Sequence, residues 1–133
     1  MLGERALKWL TNLALYLFWP ALAYIVWGEL TPNPPAWTSL FWDKLLHFTA
    51  YFGLSAMATL VLGIQKRTLA ALVGLAALGG LLEILQGYTG RDPDVFDELA
   101  NCVGVVSGLL AAWALIALSR SGILAKDKPR HRA

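Results

Sequence analysis

The stretch EILQGYTGRDPDVFDELAN (Glu83–Asn101) lies between two long apolar runs, TLAALVGLAALGGLL (Thr68–Leu82) and CVGVVSGLLAAWALIAL (Cys102–Leu118). Each run, with its neighbours, is about 20 residues long, enough for a helix to cross a hydrocarbon core of ~30 Å. The polar stretch between them must turn the chain at one membrane surface. Gly90 and Pro93 interrupt helix there, while Arg91, Asp92 and Asp94 favour water. Yet Glu83 and Gln86 sit inside the end of one apolar segment, and Asp97 and Asn101 inside the start of the next. Their position asks for an explanation.

Working outward, four apolar segments emerge: Ala6–Leu30, interrupted by Pro20, then Asp43–Ile64, Leu69–Tyr88 and Val95–Leu118. No strand-like alternation competes, and there is no internal repeat. The fold class expected is all-α, an integral membrane bundle of four transmembrane helices. Composition agrees: 57% of the 133 residues are hydrophobic and 15% charged, against about 25% charged in soluble domains. A soluble chain this short has too little interior to hide so much apolar surface. Six Trp and four Tyr, many near segment ends, suit interfacial aromatic belts. The single Cys102 lies in an apolar run, which excludes a disulfide framework and reads as a small packing residue.

TPNPPAWTS (Thr31–Ser39) cannot be regular helix, because its prolines remove donors and restrict their neighbours. IQKRT (Ile64–Thr68) reads as a tight polar turn and YTGRDPD (Tyr88–Asp94) as a longer one. Residues 1–120 form the membrane domain and 121–133 a basic cytoplasmic tail. Arg5, Lys8, Lys66, Arg67, Arg120, Lys126, Lys128, Arg130 and Arg132 fall at the termini or in the second loop; Lys44 and Arg91 belong to the other side. By the positive-inside rule this expects a multi-pass protein of the cytoplasmic membrane, both termini cytoplasmic. A basic start followed by Ala21–Ala23 also resembles a signal peptide, but the apolar run continues through Trp27, which favours a retained helix.

Lys44, His47, Tyr51 and Ser55 recur every three or four residues, so they share one helical face, with Asp43 beside its outer end. On the third segment Ala76, Gly80, Glu83 and Gly87 share a face, with Gln86 along its edge; on the fourth, Asp97, Asn101, Gly104 and Gly108 do. Small residues let helix backbones approach, so these faces should meet protein rather than lipid. At ~1.5 Å rise per residue, His47, Glu83 and Asn101 each lie within about 10 Å of the outer end of their helix. The expectation is one polar pocket under the outer surface, with Arg91 above it.

Structural roles compete. Asp43 can cap the second helix, and Asp92 or Asp94 the fourth, with Pro93 in a first-turn position. Asp97 and Glu98 suit a first turn by charge, and Glu98, about 100° round from Asp97, reads as solvated. Gln86 and Asn101 serve equally as interhelical glue, at about 0.6 kcal/mol each. His47 and Glu83 are harder to dismiss, since an unpaired ionisable group in a membrane helix costs at least ~2.5 kcal/mol.

DKLLHFTAY (Asp43–Tyr51), EILQ (Glu83–Gln86) and GRDPDVFDELANCVG (Gly90–Gly104) together resemble the VanZ-like family of small bacterial membrane proteins. The resemblance covers about residues 40–110. It implies a cell-envelope role, since the family's founding member is associated with resistance to the glycopeptide teicoplanin and remote relatives have been proposed to act on lipid head groups. Its partners would then be membrane lipids, with a lipid-linked saccharide or a glycopeptide as further candidates.

For catalysis, imidazole titrates near neutrality, so His47 is the candidate general base or nucleophile. Glu83 or Asp97 would orient its ring. Lys44 and Arg91 would meet phosphate oxygens, and Tyr51, Gln86, Asn101 and Asp43 would position a head group. Asp43, His47, Glu83 and Asp97 also suit a hard divalent cation such as Mg²⁺ or Mn²⁺. A non-catalytic lipid or glycopeptide binding protein is the alternative. A transport path would need polar residues across the whole membrane, and the inner halves are mostly Leu, Ala, Val and Gly. Nucleic-acid binding is disfavoured: no phosphate-cradling loop is present, and a basic tail beside a membrane helix suits anionic lipid.

Overall fold

A computed structural model describes residues 2–32 and 40–124. Its elements are four helices, α1 (Leu2–Leu30), α2 (Leu40–Leu62), α3 (Lys66–Thr89) and α4 (Val95–Leu124). Each contains a span of 21 to 28 residues apolar enough to cross a membrane. Large apolar side chains such as Trp19, Val73, Ile84, Val106 and Leu118 cover the outside. That pattern fits lipid as the solvent.

Backbone satisfaction explains why helices form, because every donor and acceptor must be paired inside its own segment in lipid. α1 passes through Pro20 as a single helix, although the ring withholds one donor. All elements extend beyond the apolar limits expected from sequence at one end or both. α3 begins at Lys66, so the turn before it shrinks to Gly63–Gln65. α4 continues to Leu124 and takes in the first residues expected in the tail. The rest of that tail, and residues 33–39 of the proline-rich loop, lie outside the described residues.

Both tight stops rest on glycine. Gly63 (φ 75°) receives the Thr68 hydroxyl on its carbonyl, and Gly90 (φ 84°) ends α3 by donating to Gln86 O. In each case an L side chain would oppose the left-handed backbone.

Connectivity makes α2 and α4 parallel neighbours, both starting at the end where α1 and α3 finish. Their approach is close because Gly104 and Gly108 of α4 lie against the backbone of Phe48, Phe52 and Ala56 of α2. A Cβ on Gly104 would fall 2.5 Å from Phe48 O and 3.0 Å from Phe52 N. Ser55 Oγ uses the same proximity to donate to Val105 O at 2.6 Å. Around this seam Tyr51, Leu54, Ala58, Leu72, Leu75 and Val105 form the apolar core, with Phe18, Leu22 and Ile25 of α1 packed on it.

Gly104→Ala or Gly108→Ala should therefore destabilise the bundle by about 1–3 kcal/mol through overpacking. Gly53→Ala, where an added Cβ meets nothing within 4 Å, should leave stability unchanged or slightly raised. Unfolding titrations in mixed micelles compare the three.

Candidate functional site: a buried ionic cluster at one end of the bundle

His47 is the centre of the cluster and is 4% exposed. Its Nδ1 lies 3.1 Å from Asn101 Oδ1, 3.7 Å from Glu29 Oε1 and 3.9 Å from Glu83 Oε1. On the opposite edge of the ring, Nε2 lies 4.0 Å from Asp97 Oδ2. Four helices thus bring one imidazole, one amide and three carboxylates together. Burial of this kind is costly for charge unless partners are present.

The orientation of His47 follows from its neighbours. Asn101 Nδ2 donates to Glu98 Oε2 at 3.2 Å, and Cys102 Sγ donates to the other oxygen of the same carboxylate at 3.3 Å. Glu98 as a carboxylate only accepts, so Asn101 must turn its oxygen toward the ring. In the neutral imidazole Nδ1 then carries the proton and Nε2 keeps its lone pair, facing Asp97.

An outer layer closes over this centre. Lys44 Nζ donates to Asp94 Oδ2 at 2.5 Å and to Asp97 Oδ1 at 2.9 Å. Arg91 donates to the carbonyls of Gly28 and Glu29 at 3.4 and 3.2 Å, and pairs with Asp43 Oδ1 at 3.5 Å. It thereby places a positive charge at the C-terminus of α1, where the helix dipole favours one. The backbone N–H of Asp94 donates to Glu83 Oε2 at 3.1 Å, and Asp94 Oδ1 accepts from Phe96 N at 2.9 Å. Asp94 does cap α4, as its position suggests, and also pairs across to α2. The Lys44 ammonium, helped by that Phe96 amide, holds the Asp94 carboxyl below its ordinary range.

Around His47, buried polar atoms remain without a hydrogen-bond partner: Glu29 Oε2, Tyr51 Oη, Glu83 Oε1 and Gln86 Nε2. Tyr51 Oη neighbours the Glu29 carboxyl without normal hydrogen-bond geometry. Gly79 makes room here. A Cβ on it would lie 2.6 Å from Glu98 Oε2, 2.8 Å from Asn101 Nδ2 and 3.2 Å from Tyr51 Oη.

The structure brings together the residues singled out from sequence: Asp43, Lys44, His47, Tyr51, Glu83, Gln86, Arg91, Asp97 and Asn101 occupy one end of the bundle. Two local expectations need correction. Glu98 is not a solvated side chain; it is half-buried and orients Asn101, because α4 turns it toward the space left by Gly79 and Gly80. The inward line of α3 runs through Leu72, Leu75, Gly79, Leu82, Glu83 and Gln86 rather than through Ala76, Gly80 and Gly87. Gln86, only 1% exposed, is central to that face, and Gly87 is exposed.

Glu29 was missed altogether. Its signal was present, since it is the only charged residue between Lys8 and Asp43 and sits at the end of an apolar helix. Nothing local to α1 showed that it would face His47.

Comparison of the chain with protein-family models, with curated proteins and with solved structures finds no match. What can be said of function therefore rests on the cluster.

Asn101→Leu should leave two buried groups, His47 Nδ1–H and the Glu98 carboxylate, without their shared partner. The expected cost is about 1–3 kcal/mol, read as a lower unfolding midpoint in detergent. An unchanged midpoint would mean that the amide bridge contributes nothing.

Proposed function

We propose that this is a multi-pass protein of the cytoplasmic membrane whose ionic end faces outward and acts on the polar head group of a lipid or lipid-linked saccharide. One observation carries the reading. A buried histidine is held by groups from the other three helices near one end of the bundle, where the four apolar spans terminate. Burial of charge at such a place is a functional indication in its own right.

In this reading His47 Nε2 is the base that takes a proton from an attacking hydroxyl, and Glu29 and Glu83 stabilise the imidazolium that results. Asn101 keeps the proton on Nδ1 and so selects the reactive edge. Lys44 is one-third exposed and stands at the rim, where it can exchange a carboxylate for a phosphate oxygen. Asp97 is shared between Lys44 and the imidazole, which links head-group contact to the base. Tyr51 and Gln86 keep unpartnered polar atoms inside the bundle, where only a head group that enters the cluster would meet them.

The residues that carry the resemblance to the VanZ-like family are the residues of this cluster. That coincidence supports an envelope role of the same kind, including glycopeptide tolerance, and the basic termini support the orientation. A second reading, binding of lipid or glycopeptide without turnover, has its own support. Lys44 and Arg91 both hold carboxylates, so a head group would be bound by displacing them, an exchange that requires no bond in the ligand to break.

Lipidomics of cells making equal amounts of the normal protein or His47→Ala should separate these. Catalysis expects one head-group class to revert to the level of cells lacking the protein, with the variant still inserted. Full turnover by His47→Ala would remove His47 from the reaction.

A further inference from the structure

We infer that Asp43, His47 and Asp97 form a binding site for a divalent cation, of the Mn²⁺ type that accepts imidazole together with carboxylates. One ligand atom from each of the three lies within 4.8 Å of the others. An octahedral ion with bonds near 2.1 Å needs adjacent ligands about 3 Å apart, so the widest spacing must close by up to about 2 Å. Asp43, on the first turn of α2 with its side chain 26% exposed, has freedom to do that.

A second observation is independent of that spacing. In the neutral imidazole, the chain Glu98–Asn101–His47 places the proton on Nδ1 and leaves the Nε2 lone pair aimed at Asp97 Oδ2, 4.0 Å away. Both are acceptors, and both side chains are more than nine-tenths buried. Two acceptors facing each other in a low-dielectric interior repel unless a positive charge lies between them. Lys44 does not serve, because it binds the other oxygen of Asp97; Arg91 likewise takes Oδ1 of Asp43. One oxygen of each carboxylate is left for the ion.

The charge balance points the same way. Six of the nine acidic residues of the chain, Glu29, Asp43, Glu83, Asp94, Asp97 and Glu98, meet at this end against Lys44 and Arg91. Glu83 Oε1, buried and without a donor, lies 3.9 Å from the imidazole and deepens the negative potential on it. A bare phosphate would meet that field unfavourably, whereas a divalent cation is drawn in and can then bridge to one. One imidazole with two carboxylates is a mixed set; the oxygen majority favours Mn²⁺ or Mg²⁺ over thiolate-seeking ions. Asn101, which donates nothing to the ion, has the role that outer partners of metal-bound histidines have.

The inference does not rest on the head-group reading, and a cation held on Nε2 would occupy the lone pair that reading gives to the base; its test uses the metal alone. Full-length protein in lipid nanodiscs is titrated with Mn²⁺ and bound ion is followed by electron paramagnetic resonance. Saturable binding of one ion per chain is expected, with nitrogen hyperfine coupling from the imidazole. His47→Gln should abolish the coupling, and Asp97→Asn or Asp43→Asn should weaken binding by at least about tenfold. Asp92→Asn, an exposed residue outside the cluster, should change nothing. Helix content and monodisperse elution verify that each variant is folded. Absence of saturable binding, a bound ion without nitrogen coupling, or undiminished affinity in folded Asp97→Asn would overturn the site; the first is what a protonated imidazole in place of a metal would give. Metal binding with an unaltered lipid profile in His47→Ala would keep the site and sink the head-group reading, so the two can fail separately.

Discussion

The close approach of α2 to α4 is the constraint on which the rest depends. Gly104 and Gly108 let the two backbones touch, and every short polar link between these helices uses that separation: Lys44 to Asp97, His47 to Asn101, and Ser55 to Val105 O. A side chain at either glycine would hold the helices apart, and bonds of 2.6–3.1 Å would lose their geometry. In lipid there is no hydrophobic force to press helices together, so close packing and hydrogen bonds must do so. The seam supplies both.

The ionic end then has a simple logic. Charges removed from water need partners, and here the partners come from different helices, so satisfying one charge fixes the position of another. Arg91 ties the end of α1 to the start of α2. Glu83 ties the end of α3 to the start of α4 through the Asp94 amide. Glu98 sets Asn101, and Asn101 sets His47. Against this web, the unpartnered oxygens of Glu29 and Glu83 stand out. Each is a buried acceptor without a donor among the described residues, which costs stability.

Much of this was legible in the chain. Four apolar stretches of spanning length, with no competing alternation, leave few other folds open. The polar stripes on the second and fourth segments were readable because an apolar background makes each Lys, His, Asp or Asn conspicuous, and helical period then says which share a face. The third segment was read one position out, choosing Gly80 and Gly87 where the buried line uses Gly79 and Gln86. In a helix of Leu, Ala and Gly the amphipathic signal is faint, so period alone cannot place the face to one residue.

By itself, the sequence determined the membrane-spanning helical fold, the glycine seam and the identity of most polar groups at one level. All of these depend on composition and period, which are local. Only the tertiary structure decided which charges meet. That Glu29 from the first helix faces His47, that Glu98 turns inward to orient an amide, and that Lys44 takes Asp94 and Asp97 together follow from how each helix is rotated and set beside its neighbours. Rotation is chosen by packing and electrostatic pairing summed over the whole bundle, and no single segment carries that information.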